Sequence, residues 1–369
     1  MILYTTYQFR LKDGNLRLFL KKLAWETNLV WNYVNDIVRK RWKESRLYTS
    51  EADLNKLLKG SSEFLSINAQ SIQAITQEYL LKLKTVKKFL RWRSVKKHLG
   101  WLPFKGQSFK FHGGYAVYNK QKFRLWQHRA LPEGAAIKMG SFGEDARGRW
   151  YLNLVVEAPK LSPEENPPPG SFVGIDPGLK TIITTSDGDM FERSNLTKTY
   201  AAKLAKAQRR KKKKQVKNIH AKIKNSRKDF AHKVSLELAQ SYETIFFGDV
   251  SSKKLAKTKM AKSVYDAAWQ QIKEFCRYKS LRRGGKLLEI SERKSTITCS
   301  SCLEETGPSG LSGLGVRGWT CRGCNTVHDR DVNAAKNILR FGHETLRALA
   351  SDCRHQTKRK GSPRYNHKV

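Results

Sequence analysis

Two cysteine pairs, Cys299-Ser-Ser-Cys302 and Cys321-Arg-Gly-Cys324, stand 18 residues apart and run directly into His328-Asp-Arg-Asp-Val-Asn-Ala-Ala335. Few patterns restrict a fold more. Zinc takes four soft ligands at tetrahedral corners, and two C-x-x-C knuckles on a loop of this length supply them without straining the backbone. Two disulfides are the competing arrangement. The start, Met1-Ile-Leu-Tyr-Thr-Thr, lacks a basic stretch followed by an apolar core, so no export signal is visible and a reducing cytosol favours zinc. Cys276 and Cys353 stand apart from both pairs and carry no such signal.

The formal charge is +40, from 72 basic and 32 acidic residues among 369. An excess of this size repels itself and calls for a polyanion partner. Bases occur along the whole chain, which fits nucleic acid with a large footprint better than a membrane surface. No apolar run is long enough to span a bilayer, so a cytoplasmic protein with no membrane attachment is expected.

Tyr4-Thr-Thr-Tyr-Gln-Phe-Arg-Leu11 alternates like a strand. From about Leu18 a helical period sets in, with Leu23, Val30, Trp31, Val34, Ile37 and Val38 on one face. Trp25, Asn28 and Asn32 lie beside that stripe and are candidates for touching nucleic acid. A second helix is expected from about Ala69 to Val95, its latter half mixing bases with Phe89 and Trp92 in a pattern suited to phosphate contact and stacking. Short strand-like runs from Ser108 to Val156, split by glycine turns, predict a small barrel or sandwich together with the first strand. Pro163-Glu-Glu-Asn-Pro-Pro-Pro-Gly170 reads as a linker. Beyond it come a strand to Asp176, a returning strand, a long basic helix from about Leu196 to Ser241, strands at Thr244–Phe247 and Lys286–Glu292 with a helix near Val264 to Tyr278 between them, and a last helix from about Asp329 to Leu349. The tail from Cys353 holds no acid and is expected to be disordered or laid along phosphate.

Asp176 follows the apolar Val173-Gly-Ile175, where a strand would end at a sheet edge, and Gly178 keeps the turn open. A plain Asp-Pro-Gly turn is the alternative. Asp331 is better defined. In a helix starting near Asp329, residues 331, 334, 335 and 338 share a face, and a buried carboxylate costs several kcal/mol unless paired or bound to metal. Asp329 lies about 200° away around that helix and reads as its N-cap. Acids gathered from strand ends and a facing helix are what two magnesium ions about 4 Å apart require for phosphodiester cleavage.

Gly174-Ile-Asp-Pro-Gly-Leu179, Arg227-Lys-Asp-Phe-Ala-His-Lys233, Ala261 to Trp269, the four ribbon cysteines and Asp329-Arg-Asp-Val-Asn-Ala-Ala-Lys-Asn-Ile338 occur in one order. With them the stretch from Phe172 to about Leu349 resembles the RuvC-type nuclease of the TnpB family, the OrfB-type proteins of insertion sequences. The N-terminal half matches more loosely, through Phe9-Arg-Leu11, Trp31-Asn32 and Leu102-Pro-Phe-Lys105. The resemblance implies an α+β multidomain chain: an RNase H-like (RuvC) α/β nuclease domain with an inserted zinc ribbon, an N-terminal wedge β-barrel and a helical recognition lobe. The corresponding spans are 1–17 and 108–160 for the barrel, 18–107 for the lobe, 161–170 for the linker, 171–295 and 326–350 for the nuclease, 296–325 for the ribbon and 351–369 for a basic tail. It implies an RNA-guided DNA endonuclease, often termed a transposase from its genetic context. Its partners would be a guide RNA and double-stranded target DNA, at the nucleoid of a prokaryote. Its metals would be structural Zn2+ and two catalytic Mg2+, with Mn2+ an acceptable substitute.

Asp176 and Asp331 fall on the family's first and third metal-binding acids. The second departs from the pattern, because Phe246-Phe-Gly-Asp-Val250 puts Gly248 where the family usually has Glu. Asp249 is one substitute, though shorter and facing the other way along a strand. Glu292 is another, since period two places it with Leu288 and Ile290, opposite Glu289. Loss of cleavage, leaving a guided repressor, is the third possibility. Arg209, Arg210, Lys211, Lys212, Arg227, His232 and Lys233 are the expected nucleic-acid contacts. Arg317, Trp319 and Arg322 of the ribbon are candidates for loading DNA.

Overall fold

The computed structural model describes residues 3–12, 14, 16–158, 163–192, 195–250, 261, 264, 267–309 and 312–359. They divide into two compact units, Met1–Pro159 and Lys160–Val369. Among the described residues no helix is long and apolar enough to cross a membrane.

In the first unit, β1 (Leu3–Leu11) is followed by helices α1 (Arg17–Ser45), α2 (Glu51–Leu57) and α3 (Ala69–Val86). Strands β2 (Trp101–Lys105), β3 (Phe109–His112), β4 (Tyr115–Tyr118), β5 (Gln121–Trp126), β6 (Ala136–Glu144) and β7 (Trp150–Ala158) complete it. The seven strands form one antiparallel sheet in the order β2-β6-β7-β1-β5-β4-β3. Alternation is strict on β7, where Trp150, Leu152, Leu154 and Val156 are all buried. The sheet curls until Phe104 of β2 stacks on Phe109 of β3 with ring centroids 4.5 Å apart. Yet β2 and β3 are the two ends of the order and share no ladder, so the expected barrel is a half-barrel. Pro103 lacks an N–H to donate outward, which suits β2 to an edge.

The expected helix from Ala69 to Val95 stops at Val86, with Lys87 turning left-handed at φ 53. The following segment is strapped to α1 instead. Asn32 and the Arg93 backbone exchange two 2.8 Å hydrogen bonds, and Arg93 Nε donates to Asn28 at 2.6 Å. These asparagines are therefore engaged within the fold rather than held out for nucleic acid; Trp25 remains exposed.

The second unit has strands β8 (Phe172–Asp176), β9 (Thr181–Thr185), β10 (Met190–Glu192), β11 (Thr244–Gly248) and β12 (Lys286–Ile290) in the order β10-β9-β8-β11-β12. β8, β11 and β12 run parallel, β9 is antiparallel to β8, and β10 is antiparallel to β9. This is the RNase H-like arrangement. Helices α4 (Leu196–Thr199), α5 (Ala201–Arg209), α6 (Lys213–Ser241), α7 (Trp269–Arg282) and α8 (Arg330–Arg359) accompany it, and the ribbon contributes the hairpin β13 (Gly318–Thr320) and β14 (Val327–Asp329). Ala231, Val234 and Leu238 of α6 and Ile272 and Cys276 of α7 pack with Val173, Ile175, Ile245 and Phe247. Ile338 and Leu339 of α8 pack with Phe246, Ile290 and Leu288 on the other face.

The approach of α8 to β8 is unusually close. A Cβ on Gly174 would lie 2.1 Å from the Ala335 carbonyl, and one on Gly342 would enter the Phe246 ring at 2.3 Å.

Three boundaries differ from expectation. The basic helix from Leu196 to Ser241 is broken twice, and at its second break Lys211 is left-handed with φ 51. Six consecutive cations, Arg209 to Lys214, repel one another there. The last helix continues to Arg359, because no Gly or Pro follows Gly342 until Gly361. Helix thus enters the span 351–369, expected as a basic tail, as far as Arg359; residues 360–369, like 251–260 and four of the eight residues Ala261–Ala268, lie outside the described residues. Glu292 lies beyond β12 in a turn, since the strand ends at Ile290.

Gly174→Ala is expected to cost about 1–3 kcal/mol through overpacking against α8. Denaturant unfolding of the second unit checks this, and an unchanged midpoint contradicts the close approach.

Candidate metal centre

β8 and β11 end side by side, so Asp176 and Gly248 reach the same edge of the sheet, with β12 beside them. The carboxyl edge of parallel strands is where open α/β sheets gather their chemistry. The turn after Asp176 is held by Trp269, whose Nε1 donates to the Gly178 carbonyl at 3.0 Å. Asp331 arrives in the first turn of α8. Asp329 caps that helix, its Oδ1 accepting from the amides of Asp331 and Val332 at 2.9 Å each.

Gly248 and Glu292 compete for one volume. A Cβ on residue 248 would stand 2.2 Å from Glu292 Oε1 and 2.9 Å from its Cδ. The Glu292 carboxylate thus lies where a side chain at 248 would begin. Its Oε1 is buried with no hydrogen-bond partner. Asp249, the other substitute, is exposed, and its Oδ1 accepts from the Glu292 amide at 3.2 Å. It braces the turn that carries Glu292. Glu289 serves the opposite face, paired with Lys273 and Arg277.

The electrostatics bind these acids into one group. Burial, and then the charge of Asp331, push Asp176 up to about 7. Burial, followed by the charges of Asp176 and Asp249, pushes Glu292 up to about 8. An unmet buried oxygen and carboxyls raised by burial and by one another are what a divalent cation would relieve, so the donor set fits a hard cation with oxygen ligands. Sequence reasoning missed one neighbour's role: Arg317 Nη1 contacts both Asp331 oxygens, at 3.0 and 2.8 Å.

In the ribbon, the ligand atoms of Cys299, Cys302, Cys321 and Cys324 all lie within 4.8 Å of one another. Sγ–Sγ separations of 3.7 Å (Cys299–Cys324) and 3.5 Å (Cys302–Cys321) approach the roughly 3.8 Å edge of a tetrahedron with 2.3 Å bonds. They are far from a disulfide bond. The Thr306 hydroxyl, with the Cys324 and Gly323 amides, lowers Cys321 to about 6, favouring the thiolate zinc needs. His328 Nε2 lies 3.1 Å from Cys299 Sγ. The four cysteines form a zinc-type site.

The expected nucleic-acid contacts divide. Arg209, Arg210, Lys211 and Lys212 are exposed at the break before α6. Lys233 is exposed beside Asp229 at 3.0 Å, and Arg227 donates to Thr197 at 2.8 Å. The His232 ring stacks on Phe275 at 4.1 Å, within the packing of α6 on α7. His232 is only half-buried there.

Two family models match the chain: "Probable transposase" over residues 153–259 and "Cas12f1-like, TNB domain" over residues 269–338. A Streptomyces pristinaespiralis protein named "Putative RNA-guided DNA endonuclease" is 33% identical over 272 residues, covering 69% of this chain and 66% of that protein. The Escherichia coli (strain K12) protein "Putative RNA-guided DNA endonuclease InsQ" is 28% identical over 227 residues, 54% of this chain and 55% of its own. The alignments therefore leave about a third or more of each relative unmatched. A solved Cas12f1-sgRNA-target DNA complex contains a chain of like fold, with TM-score 0.60 and 15% identity over 87% of this chain and 82% of that one.

In magnesium-free buffer the folded chain keeps protons on Asp176 and Glu292 that the unfolded chain releases near pH 4. Their contribution to stability is full below that pH and is lost as pH rises through about 7 and about 8. Asp176→Asn is expected to be more stable than wild type at pH 8.5 by roughly 1–4 kcal/mol, with the difference vanishing near pH 4. Thermal melts across that range check it, and a variant no more stable at pH 8.5 contradicts the raised pKa.

Proposed function

The chain belongs to the TnpB family, and from that premise we propose that it is an RNA-guided DNA endonuclease whose metal centre is formed by Asp176, Glu292 and Asp331. The observation that carries the reading is the shared volume of Gly248 and Glu292. The residue that would hold the usual glutamate is a glycine, and a glutamate from the turn after β12 fills its place. That arrangement supports cleavage over the guided-repressor alternative.

Asp176, Glu292 and Asp331 would hold magnesium, two ions in this reading. Such ions activate a water and stabilise the leaving oxygen of a phosphodiester. The chain's own part is to keep the three carboxyls convergent and partly dry, so that their need for a cation is strong. Arg317, beside Asp331, supplies a guanidinium suited to a backbone phosphate. Guide RNA would choose the sequence by base pairing, the protein reading backbone shape and a short duplex motif. Arg209, Arg210, Lys211, Lys212, Arg227 and Lys233 would contact phosphates, giving binding that weakens steeply with salt. Acting on DNA, the protein would work at the nucleoid. Cys299, Cys302, Cys321 and Cys324 would hold zinc as a structural staple.

Plasmid cleavage by the protein with its copurified RNA and magnesium tests this. Glu292→Ala is expected to slow cutting by more than about 100-fold, the upper range for losing an outer-shell partner. Asp249→Asn, which disturbs only the brace, should cost about 10-fold or less. The reverse ranking assigns the second acid to Asp249, and a wild type that binds target yet never cuts removes the endonuclease reading.

A further inference from the structure

α8 carries two asparagines one turn apart, Asn333 and Asn337, on a face otherwise made of Ala334, Ala335 and Ile338. Their exposures are 1% and 0%. Asparagine is a poor helix former, and a buried amide costs free energy unless its bonds are met. Leucine would serve both helix and core better. Both amides are engaged, and on the same short segment. Asn337 Nδ2 donates to the Ser295 carbonyl at 2.9 Å and the Thr298 carbonyl at 2.7 Å. Asn333 Nδ2 reaches the same two carbonyls at 3.4 and 2.9 Å, and its Oδ1 accepts from the Ser300 amide at 2.8 Å. Asn337 Oδ1 is left buried without a partner, so this residue is held in place at a cost and only its donor side is used.

The gripped segment joins two sites. At one end the Ser295 amide donates to the Glu292 carbonyl at 3.0 Å. At the other lies Cys299 of the ribbon, between Thr298 and Ser300. An acid at position 248 would be fixed by β11, which has ladders to β8 and β12 on both sides. Glu292 has no such ladder. Its turn is held by the Asp249 brace and, three residues on, by the two asparagines of the helix that bears Asp331.

We propose that Asn333 and Asn337 are positioning residues that, with the second acid off β11, keep Glu292 in register with Asp331. The inference rests on the carboxylate reading above. It assigns the pair no contact with metal or substrate. It also makes the ribbon knuckle and the metal centre share one clamp.

The test compares two frames of the full, zinc-loaded chain: the native one, and Gly248→Glu with Glu292→Gly, which returns the acid to β11. Mn2+ affinity is measured by electron paramagnetic resonance of the free ion, and zinc content by metal analysis. Asn337→Leu is expected to weaken Mn2+ binding about tenfold or more in the native frame and less than about twofold in the swapped frame. Zinc should stay bound in both. Equal losses in the two frames mean a merely structural clamp and overturn the proposal, as do unchanged affinity in the native frame or a swapped frame that binds no Mn2+. Should Asn337→Leu fail to fold, Asn333→Ala, which removes only the other half of the grip, is carried through both frames under the same criteria. Native protein with no Mn2+ site sensitive to Asp176→Asn overturns the carboxylate reading itself, an outcome distinct from failure of the clamp alone.

Discussion

Carboxylates brought together away from water repel one another and lose hydration, so other parts of a fold must hold them convergent. Here that work falls to the seating of α8 on the sheet. Gly174 and Gly342 remove the side chains that would keep helix and strands apart, and Phe246, Ile290 and Ile338 fill the space between. Asp331 then enters from the first turn of a helix whose start is fixed by the Asp329 cap. Burial first, and then neighbouring carboxylate charge, raises Asp176 and Glu292, and a bound cation would offset both costs.

Relocating the second acid changes what the site depends on. A residue on a central strand inherits its position from the ladders, whereas one in a turn needs its own supports. The supports visible around Glu292 are polar and long-range in sequence: Asp249 from β11, Asn333 and Asn337 from α8. The ribbon is likewise tied to the centre at more than one point, through the Ser300 amide and through Arg317 on Asp331. A zinc staple so connected contributes to geometry beyond its own loop.

Local patterns made much of this legible in the sequence. The cysteine spacing shows the ribbon, the face shared by Asp331, Ala334, Ala335 and Ile338 shows a carboxylate turned inward, and the apolar run before Asp176 shows a strand end. Where the sequence misled, the cause was tertiary. Nothing local says that helix α3 ends at Val86, because the following segment is held by Asn28 and Asn32 some sixty residues earlier. Period two put Glu292 on the inward face, yet the strand had already ended; the residue reaches the site through its turn. The clamp asparagines had a signal, two amides four apart on an apolar helix face, that had no meaning until their carbonyl partners were known. His232 stands among bases in the sequence, and only the packing of α6 on α7 shows that its ring also stacks on Phe275.

The central claim, that Glu292 and not Asp249 completes a cation site with Asp176 and Asp331, can be tested without any cleavage of DNA. Fe2+ supplied in place of magnesium, with ascorbate and peroxide, cuts the polypeptide beside the ion it occupies. Mapping the fragments by mass spectrometry should give cuts near residues 176, 292 and 331 together. Cuts that cluster at 249 and spare 292, or that never join 176 with 331, would contradict the account.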